Sequence, residues 1–107
     1  MSDTLHFPLV DAVALALEEI FFEHRYADKV IEKLFKKNRK WGARDRKFVA
    51  ESIYEIVRHK RRLQFISGVD SSWGLIAAYL IQTRGELPDW EEFDAFSLHE
   101  LKKRNSS

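Results

Sequence analysis

Apolar residues recur every three to four positions along nearly the whole chain, and no stretch alternates apolar and polar residues as a half-buried strand does. That spacing predicts an all-α protein, a compact bundle of about five to seven helices. The 107 residues are enough for one domain, and residues 1–107 are read as such. Helix one is expected to begin at Pro8, whose missing N–H costs nothing in a first turn, and Leu9, Val13, Leu17 and Ile20 form its stripe. Helix two is expected over Ala27–Lys37, with Val30, Ile31, Leu34 and Phe35 inward. Lys36 and Lys37 lie in its last turn, where cations suit the negative pole. Residues 38–42 break the pattern, and a single long helix is expected from Ala43 to Ile66. After the loop 67–72, with Ser71 or Ser72 as a cap, Trp73–Arg84 is apolar nearly all round and closed by Gly85. A helix of that kind is central to a bundle. Glu86–Phe96 is acidic, with Pro88, Trp90, Phe93 and Phe96 as packing anchors. Ser97-Leu98-His99-Glu100 has the spacing of a capping box opening a short helix to about Arg104.

The net charge of +1 conceals a strong asymmetry. From Arg25 to Arg62 there are fourteen Lys and Arg against five Asp and Glu, a balance of +9, while the remainder carries four against twelve, a balance of −8. A basic middle between acidic ends is the footprint of a site for a polyanion. On a helix of 100° per residue, Phe48, Val49, Ile53, Ile56, Val57 and Leu63 share one half of the circumference. Arg44, Lys47, Glu51, Tyr54, Arg58, Arg61 and Arg62 occupy a narrow arc opposite. One side is core; the other is a basic ridge carrying a tyrosine.

Much chemistry is excluded by composition. With no cysteine there is no disulfide framework, Cys-based zinc site or thiol nucleophile. The four histidines, at 6, 24, 59 and 99, have no metal-ligand spacing, and the four glycines build no nucleotide cradle. Glu18-Glu19 and Glu91-Glu92 are neighbours in sequence and diverge on a helix. The start of the chain lacks the basic residues of a secretory signal, and the longest uncharged apolar stretch, near 71–83, falls short of the ~20 residues that span a bilayer. A cytoplasmic, non-catalytic protein with no membrane partner and no bound cofactor is expected. What is left is binding. Arg44, Lys47, Arg58, Arg61 and Arg62, with Lys36, Lys37, Arg39 and Lys40 alongside, suit RNA phosphates, and Tyr54 and Trp41 suit base stacking. Each has a structural alternative: Trp41 as an anchor for its loop, Tyr54 bonded within the bundle, Arg44 and Arg58 paired with Asp45, Glu51 or Glu55.

The segment Tyr26-Ala27-Asp28-Lys29-Val30-Ile31, then Trp41-Gly42-Ala43-Arg44-Asp45-Arg46-Lys47-Phe48-Val49-Ala50-Glu51, Ile53-Tyr54-Glu55-Ile56-Val57-Arg58 and Arg61-Arg62-Leu63 resembles the NusB-like helical domain. That domain stands at the N-terminus of bacterial rRNA cytosine-C5 methyltransferases of the Sun/RsmB family. The carrying motif is Arg44-Asp45-Arg46, an apolar run, Tyr54 and Arg58. It covers about the middle third of the chain. The resemblance implies a NusB-like bundle and an RNA-binding accessory domain that positions rRNA for a methyltransferase domain lying outside this sequence. It also implies S-adenosylmethionine as a cofactor of that other domain only. A serine customary before the motif caps the helix; here Gly42 stands in its place, and Asp45 is read as a structural first-turn carboxylate. Arginines that such domains carry before the first helix are absent from Thr4-Leu5-His6-Phe7-Pro8. Alternatives of other classes are a protein-interaction module, docking the catalytic domain through the acidic segment 86–94 with Trp90 or Phe93 exposed, and a stand-alone NusB-like antitermination factor.

Overall fold

Six α-helices and one 3-10 turn, with no strand, make up the described part of the chain. The computed structural model describes residues 5–107; of the segment 4–8 considered above, Thr4 lies outside it. The chain divides into two units, one running to Val57 and the other from Arg58 to Ser107.

The first unit holds α1 (Phe7–Phe22), α2 (Ala27–Lys37) and α3 (Ala43–Arg58), whose last residue is the unit boundary. α1 starts one residue before the expected Pro8, which fills the first turn without an N–H to satisfy. Leu9, Val10, Val13, Ala14, Ala16 and Leu17 are buried along it. Its C-terminus turns through His24, the one described non-glycine residue with positive φ (56°), and the Arg25 N–H returns to the Glu19 carbonyl at 3.1 Å. α2 packs on α1 with Val30 and Ile31 buried, and Lys33 Nζ on α2 donates to Glu19 Oε1 on α1. α3 buries Val49, Ser52, Ile53 and Ile56.

The second unit contains α4 (Lys60–Ser67), α5 (Ser72–Arg84), the 3-10 turn (Glu91–Phe93) and α6 (Leu98–Asn105). The single helix expected over 43–66 is therefore two. His59 leaves helical geometry at φ −110°, ψ 28°, and its carbonyl opens α4 by accepting from the Leu63 N–H at 3.0 Å. The cause is tertiary: Leu63 and Ile66 are buried on a helix that packs on both α5 and α6, so α4 follows its own partners. α5 is the hub of the unit, in contact with α4, α6 and the 3-10 turn, and eight of its thirteen residues are buried. Ser71, rather than Ser72, caps it by accepting from the Gly74 N–H at 3.1 Å, and Ser97 caps α6 by accepting from the Glu100 N–H at 3.2 Å. Gly68 and Gly85 close α4 and α5 in the left-handed conformation, φ 78° and 76°. Phe93 lies under Trp73 edge-on at 5.4 Å between ring centroids and stacks with Trp90 at 5.9 Å, forming a small aromatic core beside α5.

Candidate nucleic-acid interface

The basic residues singled out by the sequence fall into three groups. Lys36, Lys37, Arg39 and Lys40 stand together at the α2–α3 connection. Arg44, Lys47, Tyr54 and Arg58 stand on α3. Arg61 and Arg62 stand on α4, in the second unit. The single helix expected to carry 44–62 is interrupted at His59, so Arg61 and Arg62 lie on a helix of their own.

The connection is shaped by local hydrogen bonding. Asn38 ends α2 by turning both its backbone N–H and its Nδ2 to the Leu34 carbonyl, each at 2.9 Å, and the Trp41 N–H then bonds to the Asn38 carbonyl at 3.1 Å. Trp41 is half-buried and meets Phe35 edge-on, with ring centroids 6.3 Å apart. Arg46 lies over the same Phe35 ring with its guanidinium carbon 5.6 Å from the centroid. Trp41 therefore anchors its loop, yet it keeps a wet surface on an open cleft of about 500 Å³ lined by Lys36, Lys37, Asn38, Arg39, Lys40 and Trp41. No carboxylate is among those lining residues.

Arg44, Lys47, Glu51, Tyr54 and Arg58 fall within about 80° of the α3 circumference and run for about 21 Å along it, by ordinary helix geometry. All five are exposed. Lys47 Nζ lies 3.9 Å from Glu51 Oε1, an i,i+4 pair in open solvent that costs little to break. Arg44 and Arg58 form no ion pair among the described residues, so both guanidiniums are available. Tyr54 is 45% exposed, and its hydroxyl donates to Asp28 Oδ1 on α2 at 2.5 Å. That hydrogen bond to a carboxylate, with lesser help from desolvation and from the charge of Asp28, holds the phenol proton above its ordinary pKa. The hydroxyl is thus committed to tying α3 to α2, while the ring stays accessible.

At the start of α3 the Arg46 N–H bonds to the Gly42 carbonyl at 3.0 Å, which makes Gly42 the cap and places Asp45 in the first turn. Gly42 offers no side-chain acceptor to the first N–H groups. On α4, Arg62 Nη2 donates to the Asn105 carbonyl at 2.6 Å and its guanidinium covers Phe65 at 5.6 Å. It is half-buried and fastens α4 to the end of α6. Arg61 is exposed. Of the two aromatics considered for an interaction surface, Phe93 is 4% exposed and Trp90, stacked on it, is half-buried.

Asp28 was invisible as a site residue in the sequence. Its partner is 26 positions away, beyond the reach of any helical period, and only the α2–α3 arrangement brings them together. Among the described residues no group of three or more His, Cys, Asp or Glu is placed to hold a metal ion, and no helix is long and apolar enough to cross a membrane. Compared with protein-family models, with curated proteins and with solved structures, the chain matches none.

Proposed function

We propose that this chain is an RNA-binding module, serving as the accessory domain that positions rRNA for a cytosine-C5 methyltransferase domain outside this sequence. The observation that carries RNA binding is the pair of unpartnered guanidiniums, Arg44 and Arg58, on one exposed stripe of α3 with the four cations of the α2–α3 connection at its start. Their spacing along about 21 Å suits contacts to a phosphate backbone, which gives affinity and register rather than base identity. The rRNA methyltransferase context rests on the resemblance of Arg44-Asp45-Arg46, Tyr54 and Arg58 to the Sun/RsmB family motif. It is a cytoplasmic role and needs no cofactor in this chain.

The test is a salt titration of binding to an rRNA hairpin. Log affinity should fall linearly with log salt, and Arg44→Gln with Arg58→Gln should flatten the slope by about 1.4–1.8, the value for two phosphates released. Binding that ignores salt, an unchanged slope in the double variant, or no binding at micromolar RNA would refute it. Arg62 is left intact in this experiment because its substitution would loosen α6.

A further inference from the structure

The cleft at the α2–α3 connection has properties that backbone tracking does not require. It is an open, shallow recess, it holds an aromatic surface, and four cations line it with no acid among the lining residues. Its volume of about 500 Å³ falls within the ordinary range for small-ligand sites and accommodates one nucleotide. A duplex presents its bases stacked inside and cannot offer one to such a recess, whereas an unpaired residue can be splayed out and stacked on an aromatic ring. Trp41 is already placed for that task, its ring held by the edge-on contact with Phe35 and its backbone by the amide N–H bond to the Asn38 carbonyl. A ring immobilised beforehand loses little freedom on binding.

We propose that the cleft formed by residues 36–41 takes one unpaired nucleotide of an RNA strand, its base against Trp41 and its flanking phosphates against Lys36, Lys37, Arg39 and Lys40. The inference rests on the RNA-binding reading and deepens it: the α3 stripe supplies strand-independent attraction, and the cleft supplies preference for single-stranded RNA. Lys36 and Lys37 come from the last turn of α2 and Arg39 and Lys40 from the loop, so the cations approach the recess from two directions of backbone.

The deciding experiment measures fluorescence anisotropy of an end-labelled unpaired RNA octamer and a blunt RNA duplex at one fixed salt concentration. The protein is used as wild type, Trp41→Ala, Lys36→Gln/Lys37→Gln/Lys40→Gln, and Arg44→Gln/Arg58→Gln, each checked for helicity by circular dichroism. Wild type should prefer the octamer. Trp41→Ala should lose about tenfold on the octamer, within the range for one stacked base, and little on the duplex. The α3 double variant should lose similarly on both. If wild type binds both RNAs equally and Trp41→Ala changes neither, the cleft inference is overturned while RNA binding stands. If neither RNA binds, the broader reading falls with it. Should Trp41→Ala lose its helicity, the triple lysine variant decides, since its side chains are exposed: a loss larger on the octamer supports the cleft, and an equal loss on both overturns it.

Discussion

Gly68 and Gly85 end their helices with nearly the same backbone, φ 78° and ψ 3° against φ 76° and ψ 6°. They form a natural matched pair for measuring one contact. An L-residue in this conformation brings Cβ against the following carbonyl, at a cost of about 1–2 kcal/mol. Replacing glycine by alanine also restricts the unfolded chain, which returns about 0.4–1 kcal/mol. At Gly85 an added Cβ meets nothing within 4 Å, so Gly85→Ala should cost about 1 kcal/mol, the difference between those two effects. At Gly68 the same Cβ falls 2.8 Å from Arg104 Nη1. The guanidinium must withdraw and give up its 3.5 Å bond to the Ile66 carbonyl, adding about 0.5–1 kcal/mol. Urea unfolding, followed by tryptophan emission from Trp73 and Trp90 in the same unit, gives both values. In thermal melts the gap between the variants should be about 2–8 °C for a chain of this size. In an Arg104→Ala background the two substitutions should cost the same. If Gly85→Ala proves as damaging as Gly68→Ala, or the gap survives the loss of Arg104, the account of Gly68 is wrong.

Three further outcomes are expected. Gly74 lies where a Cβ would come 2.3 Å from Val69 Cγ2 and 3.0 Å from the capping Ser71 Oγ, so Gly74→Ala should cost about 1–3 kcal/mol by overpacking, and Val69→Ala should recover part of it in chemical denaturation. Gly42→Ser should supply α3 with the acceptor it lacks; a Cβ there meets nothing within 4 Å, so stability should rise by about 0.5 kcal/mol with the salt slope of RNA binding unchanged. The phenol of Tyr54 has a raised pKa in the folded protein, so its bond to Asp28 is complete below the ordinary tyrosine value near 10 and is lost as pH climbs through the folded one. An absorbance titration at 295 nm should therefore show a late-ionising tyrosine in the wild type that becomes ordinary in Asp28→Ala.

Helix positions were legible wherever a local signal marked both ends. α2 is bounded by Ala27 and Lys37 as the stripe Val30-Ile31-Leu34-Phe35 implies, and α5 and α6 open at capping serines and, for α5, close at glycine. The interruption at His59 was not legible, because Arg58-His59-Lys60-Arg61 contains neither glycine nor proline and the apolar positions on both sides obey one helical phase. What broke the helix was the burial of Leu63 and Ile66 against α5 and α6, a choice made by elements that lie later in the sequence. The candidate site followed the same division. Lys36, Lys37, Arg39 and Lys40 are neighbours in sequence and remained neighbours in space, and Arg44, Lys47, Tyr54 and Arg58 held their common face along one helix. The Arg62 bond was not legible, since its acceptor is a backbone carbonyl 43 positions away.

The central position of α5 has a consequence for biosynthesis. Its thirteen residues are synthesised before the 3-10 turn and α6, both of which pack against it. Until Leu101 is seated, an apolar rod with Leu75, Ile76, Leu80 and Ile81 is incompletely covered and open to chaperones or to other nascent chains. A product that stops between Gly85 and Phe96 is therefore an aggregation hazard rather than a smaller folded protein, and quality control, not folding, decides its fate.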